Sequence, residues 1–342
     1  MSARDVLKAA CSSKQTAPYT PIAFITTAVT VDMMKKAEVY WPEAHQNAEY
    51  MARLGAMGYE LYGVPCLKVP FDAAVEAGAL GAHVEYGTID TFPQIKPSEK
   101  VTDAKELTIP RDLADTGRLP VVLEAIRILR KRYPELPVVA HTMGPFAIMS
   151  LLFGFGRLLE WVVLDDPNYP EAMEKCTEFS KCYSMMLVEA GADIVQFGEA
   201  AASCEVIGAR TYEKYVAPYH QQLAGRLPVP VVLHMCGDIT ACLEKLPEVE
   251  MDSISYDFKV STPYARQMLR GKVKTIGNID PLGVLLNGNP ETVRRAVFKA
   301  MEEGIDVLSS GCTLPPRMPE ENLIAMVQAH SEYLHSKNIS LA

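Results

Sequence analysis

From residue 121 onward the chain alternates between stretches with a helical apolar period and short apolar runs of strand length, which leaves few folds open. Helices are expected at Val121–Arg132, Pro145–Leu164 and Tyr169–Ala190, the last stopped by Gly191. Pro137–His141, Ala192–Glu199, Val231–Met235, Ser253–Asp257, Val273–Asp280 and a run at Val307 read as buried strands. Further helices at Ile239–Leu246, Pro263–Leu269 and Pro290–Gly304 separate the later strands. Pro319-Glu320-Glu321 opens a last helix with proline and acids in its first turn. Strand, helix and strand in repetition require parallel pairing, because each crossover returns the chain to the same end of the sheet.

The first third is less regular. Val6–Ala10 is a short amphipathic start and Tyr19–Ile25 the first strand. A helix carrying Met51, Leu54 and Met57 then leads through Gly58 into Tyr59–Val64 as the second. From residue 82 to 120 the apolar period disappears, and Pro93, Pro97 and Pro110 punctuate a polar stretch that reads as a lid or insertion. About eight strands, with no Gly-x-Gly-x-x-Gly after the first, fit a TIM (β/α)8 barrel better than a doubly wound sheet. The α/β chain is expected to form one domain over residues 1–342, with the insertion at 82–120 following the second strand.

In such barrels the active site gathers at the C-terminal strand ends. Glu199 ends the fourth strand, His234 and Cys236 the fifth, Asp257 the sixth, Asn278 the seventh and Cys312 the eighth. Alternation along a strand points His234 and Cys236 to one side, so one ion can be held by both. Cys312, at the end of Ile305–Gly311, completes a Cys2His set of the kind used by catalytic zinc with an open position. His141 is expected to be an ordinary strand-end residue: His141-Thr142-Met143-Gly144 completes His-x-x-Gly, but Val139 stands where a cobalamin-binding Asp-x-His-x-x-Gly motif has its acid.

A formal charge of -9, without a basic cluster interleaved with aromatics, argues against nucleic acid. No apolar run is long enough to cross a bilayer and the N-terminus lacks a secretory pattern, so a cytoplasmic protein with no membrane partner is expected. In a reducing compartment, Cys11, Cys66, Cys176, Cys182, Cys204 and Cys242 are expected to be small buried thiols.

On these residues the chain resembles the uroporphyrinogen decarboxylase superfamily and, within it, the zinc-dependent methyltransferases of corrinoid systems. The resemblance spans essentially the whole chain. It rests on Trp41-Pro42-Glu43-Ala44-His45, Glu189-Ala190-Gly191-Ala192-Asp193, Leu233-His234-Met235-Cys236-Gly237, and Gly311-Cys312 running into Pro319-Glu320-Glu321-Asn322. It implies zinc on His234, Cys236 and Cys312, with Glu199 and Asp257 as catalytic carboxylates and Glu199, or alternatively Asp257, as a fourth oxygen ligand. The implied partners are a small-molecule methyl donor or acceptor and a separate corrinoid protein that brings the cobalamin; a homodimer stays open. Porphyrinogen decarboxylation is the weaker expectation, because Pro21–Thr27 stands where decarboxylases carry an arginine-rich segment and has no arginine.

Two methyl-transfer substrates remain. A methoxylated aromatic would call for rings at the barrel mouth, and Phe24, Phe71, Phe92, Phe146, Phe153, Phe155, Tyr256 and Phe258 fall near strand ends or the loops after them. Phe24, Phe71, Phe146, Tyr256 and Asn278 are the expected substrate contacts, which favours O-demethylation. The alternative is a sulfonate-bearing thiol such as coenzyme M, which would use Lys68 or Arg317.

Overall fold

The structure, a computed structural model, describes residues 1–96 and 102–339. Pro97, one of the three prolines expected to punctuate the insertion, lies outside the described residues. The strands in chain order are β1 (Leu67–Val69), β2 (His83–Glu85), β3 (Gln94–Lys96), β4 (Val138–Met143), β5 (Ile194–Gly198), β6 (Val231–Met235), β7 (Ser253–Tyr256), β8 (Lys274–Ile279) and β9 (Val307–Ser310). Seven of them form one sheet in the order β1-β4-β5-β6-β7-β8-β9, and every pairing in it is parallel. The sheet curls into a TIM-like α/β barrel, with helices such as Leu119–Arg132, Asn168–Ala190 and Pro290–Glu302 between successive strands. Their apolar faces join the strands in one contiguous core from Leu7 to Leu334.

The expected first strand, Tyr19–Ile25, contributes a single bridge rather than a ladder. Ile22 pairs with Leu308 in parallel, through Ala23 N to Leu308 O at 3.0 Å and Leu308 N to Pro21 O at 2.9 Å. Pro21 has no N–H of its own to donate, which shortens the pairing. The segment takes the eighth place beside β9.

Three expected elements are corrected. Tyr59–Val64 is not a strand: it is the end of the helix Ala48–Tyr62, which Asn47 caps at its start and Gly63, at φ 71°, ends. The strand begins at Leu67. Gly58, read as a break, is a close-packing site, since a Cβ there would stand 2.9 Å from the Phe24 ring. The expected helix Pro145–Leu164 divides at Gly154, φ 84°, into Pro145–Phe153 and Phe155–Val163, bent by 110°. No single helix is long and apolar enough to cross a membrane. Ile239–Leu246 yields a 3-10 turn at Thr240–Cys242 and, beyond it, the short helix Leu246–Val249.

Residues 82–120 contain the β2–β3 hairpin and two 3-10 turns, Ala104–Glu106 and Leu113–Asp115. The hairpin side is tied down by Phe92, whose ring lies 5.1 Å from Trp41, and by the Arg317–Asp90 ion pair at 2.5 Å. Among the six cysteines expected to be buried thiols, Cys11, Cys66 and Cys176 are buried and free, while Cys182 is exposed. Cys204 and Cys242 are instead paired as a disulfide, with Cα atoms 6.1 Å apart. The two strand-to-helix loops that carry them meet in space, which their sequence spacing does not reveal.

Candidate metal centre

Val231, Val232 and Leu233 bury β6 in the barrel wall and carry it to His234, with Cys236 one residue beyond the strand end. Both side chains face the same way. His234 Nε2 lies 3.1 Å from Cys236 Sγ, which in turn lies 3.2 Å from Cys312 Sγ just past β9. The three ligand atoms fall within 4.8 Å of one another, the one such His/Cys/Asp/Glu cluster among the described residues. Bonds of about 2.0–2.3 Å from a single zinc ion can bridge separations of this size, and two thiolates with an imidazole form a suitable donor set. On the other side of the imidazole, His234 Nδ1 sits 3.0 Å from Ser255 Oγ of β7, a contact that fixes the ring and leaves Nε2 for the sulfurs. His234 is buried, whereas both cysteines are half-buried and reachable from the mouth.

The two thiols behave as a pair. The hydrogen bond from Cys236 and the neighbouring His234 hold the Cys312 thiol below its usual range. The bond to Cys312, with burial, pushes the Cys236 thiol far up. A lowered thiol favours the thiolate, the form that binds metal. A glycine accompanies each cysteine because the loops approach closely. At Gly237, φ 75°, a Cβ would run into the Glu205 carboxylate, and at Gly311 it would lie 3.1 Å from Phe258 N and 3.2 Å from Asp257 Cα.

The structure does not bring Glu199 into this cluster. Its oxygens accept from Phe146 N at 3.1 Å and Ala147 N at 3.0 Å, at the start of the helix Pro145–Phe153, and Oε1 also lies 3.0 Å from His220 Nε2. A helix N-terminus that takes up a buried carboxylate satisfies its own free N–H groups in the same step. Asp257 is closer to the expectation. Its Oδ2 accepts from Gly237 N at 3.2 Å, and Oδ1 is buried without a partner. Burial raises its pKa, partly offset by that backbone bond.

The expected substrate contacts are mostly core. Phe24 packs on Gly58, and with Phe71 it lines a gap of about 10 Å³ against Gly55 and Gly58, far too small for an arene. Phe71 also packs beside Trp41 at 6.2 Å. Phe146 is fully buried, and Tyr256 turns its hydroxyl to Thr262 Oγ1 at 3.1 Å. Asn278 donates from Nδ2 to Val260 O at 3.0 Å. Each of the four rings is buried, while Phe258 is exposed.

Sequence reasoning missed two buried acids that follow β1, Asp72 on the loop and Glu76 in the short helix Val75–Ala79. Arg118 forks onto Asp72, at 2.6 and 3.1 Å, and donates to His45 O at 3.1 Å, while His45 Nδ1 lies 3.0 Å from Asp72. Burial alone would raise the Asp72 pKa, but Arg118 and His45 overrule it and hold the group well below the usual carboxylate range. Four residues on, Glu76 accepts from Met143 N at 3.2 Å, and burial pushes it up to about 7. The available signal was two acids four apart in an otherwise apolar stretch directly after a strand.

Comparison with known proteins places this geometry. The family described as uroporphyrinogen decarboxylase (URO-D) matches residues 2–333. The methylcobamide:CoM methyltransferase MtbA of Methanosarcina acetivorans is 33% identical over 332 residues, covering 94% of this chain and 95% of that protein. A methylated-thiol–coenzyme M methyltransferase of Methanosarcina mazei is 31% identical, covering 92% of this chain and 85% of its own. Among solved structures, a methyltransferase from Methanosarcina mazei superposes with a TM-score of 0.94 at 29% identity, over 97% of this chain and 99% of that one.

Proposed function

The chain belongs to the uroporphyrinogen decarboxylase family, and we propose that within it this protein is a zinc-dependent methyltransferase. The methyl group passes between the cobalamin of a separate corrinoid protein and a small thiol. The observation that carries the reading is the His234–Cys236–Cys312 cluster, half-open at the barrel mouth, in a chain alike along 94% of its length to a relative named methylcobamide:CoM methyltransferase.

His234, Cys236 and Cys312 would hold the zinc, which when bound supplies the Lewis acidity that turns a thiol into a nucleophile at neutral pH. The chain's own residues prepare the place. Ser255 orients the imidazole, and Asp257 fastens the Cys236–Gly237 turn through Gly237 N and leaves Oδ1 free beside the cluster. Glu199 braces the site from behind: its backbone N–H donates to His234 O at 2.8 Å while its carboxylate holds the next helix. Demethylation of an aryl methyl ether, favoured by the ring count in the sequence, loses support because those rings are buried in the core.

The test is a paired assay on the metal-loaded protein. Methylcobalamin with a panel of small thiols is run beside Co(I)-cobalamin with methoxylated arenes, each followed by the cobalamin spectrum. The thiol reading expects methylcobalamin to be consumed only when thiol is present, and the methoxyarenes to leave Co(I) unchanged. Loss of the Co(I) bands with a methoxyarene and none of methylcobalamin with thiols would reverse the assignment.

A further inference from the structure

The Cys204–Cys242 disulfide is the one covalent cross-link among the described residues, and it takes no part in methyl transfer. Its cysteines are 38 positions apart and enclose β6, so His234 and Cys236 lie inside the loop that it closes while Cys312 lies outside. Their Cα separation, 6.1 Å, is ordinary for such a bond. Cys242 ends the 3-10 turn Thr240–Cys242, a few residues beyond Cys236, and Cys204 opens the short helix Cys204–Ile207 after β5.

The turn that runs from Cys236 to Cys242 is fastened at three places. Gly237 N donates to Asp257 Oδ2 at 3.2 Å, Asp238 N donates to Glu205 Oε2 at 2.6 Å, and the disulfide holds Cys242. Two of these restraints come from adjacent residues, Cys204 and Glu205, so the short helix lies across the turn as a clasp. Glu205 also pairs with Lys259 at 2.7 Å, on the loop after β7. Water competes for the exposed hydrogen bond from Asp238, whereas it cannot loosen the covalent link.

The clasp is built to move. Cys242 is deeply buried, but Cys204 stands at the start of a single helical turn whose next two residues, Glu205 and Val206, are exposed. Gly208, at φ 77° and with nothing packed where a Cβ would stand, ends that turn. One turn held by few contacts opens at low cost and uncovers the Cys204 sulfur to a dissolved thiol.

We propose that Cys204 and Cys242 form a thiol-responsive clasp on the metal centre. A small thiolate attacks Cys204 Sγ, the S–S bond breaks, and Cys242 Sγ leaves as a thiolate and takes up a proton. A second thiolate attacks the small-molecule sulfur now joined to Cys204 and releases Cys204 as a thiol in the same way. One protein disulfide and two small thiols thus become two protein thiols and one small-molecule disulfide, and excess of that disulfide drives the exchange back. With the clasp open, the Cys236 turn keeps only its hydrogen bonds and gives up zinc sooner. This rests on the zinc and thiol reading above, and its test does not need methyl transfer.

Zinc-loaded protein is equilibrated under nitrogen with 2-hydroxyethyl disulfide or with 2-mercaptoethanol, and each sample is desalted and divided. Alkylation and peptide mapping of one half should find Cys204 and Cys242 joined after the disulfide and separately alkylated after the thiol. The other half is mixed with a chromogenic chelator, and zinc should leave the thiol-treated protein about tenfold faster. The double variant Cys204→Ser, Cys242→Ser should release zinc at the faster rate after either treatment; the comparison within the parent protein stands if that variant does not fold. Cysteines still apart after the disulfide, still joined after the thiol, or one release rate in both states overturns the clasp and leaves the metal reading intact. A protein that takes up no zinc at the outset overturns the metal reading, and the clasp falls with it.

Discussion

Cys312 is separated from Cys236 by 76 positions, yet their sulfurs lie 3.2 Å apart. Removing it leaves two ligands, too few for a stable zinc site, while its half-buried position puts little of the core at risk. Cys312→Ser should therefore lose most of its zinc by elemental analysis with an unchanged circular dichroism spectrum, and a variant that keeps stoichiometric zinc removes Cys312 from the site. Glu76 gives a prediction in pH. Its folded pKa, about 7, lies above the ordinary 4.5, so between those values the folded chain keeps a proton that the unfolded chain gives up. Its contribution thus weakens stability as pH rises through that window, and the cost is complete above it. Glu76→Gln should gain on the parent protein in urea unfolding at pH 8 relative to pH 5, by an amount on the order of 1 kcal/mol; an equal difference at both pH values contradicts the shift. The meeting of His234 with Cys236 was legible at this scale because alternation within one strand dictates that they face together. Asp72 with Arg118 was not legible as a pair, since it depends on which loops become neighbours. The rings misled for a related reason: position at a strand end does not tell whether a side chain faces the mouth or, like Phe24 over Gly58, a helix.

At the scale of elements, the helix Pro145–Phe153 links the site to the frame. Glu199 reaches its first turn from the end of β5 and occupies the N–H groups of Phe146 and Ala147. This close approach is open only because residue 144 is glycine: a Cβ there would run into the Glu199 carboxylate. Gly144→Ala should cost roughly 1–3 kcal/mol, the usual range for overpacking a close contact. Chemical denaturation measures it, and an unchanged midpoint would show that Glu199 has room to move. The later strands and long helices were readable because apolar period, proline starts and glycine stops agree there. Tyr59–Val64 was misread because its tyrosines and Leu61 favour a strand by propensity, whereas Asn47 and Gly63 frame a helix through Tyr62. The break at Gly154 was hidden by an apolar run that continues on both sides of it.

For the whole molecule, the parallel order β1-β4-β5-β6-β7-β8-β9 brings residues 234, 236, 257 and 312 to one end of the barrel, although no local sequence feature joins 257 or 312 to the first two. The barrel class followed from counting strand–helix units. That the first unit reduces to one bridge at Ile22 did not follow, because an isolated bridge has no sequence period. The disulfide between Cys204 and Cys242 ties the loop after β5 to the loop after β6, next to Cys236, and is likewise a property of the assembled barrel. The claim that joins these scales is that Cys2His zinc meets a thiol at the barrel mouth, and zinc-edge X-ray absorption of the loaded protein, before and after a small thiol is added, tests it most directly. The account predicts two sulfur neighbours at about 2.3 Å together with nitrogen or oxygen at about 2.0–2.2 Å, becoming three sulfurs when the thiol binds. A resting site without sulfur, or a sulfur count that the thiol leaves unchanged, would contradict it.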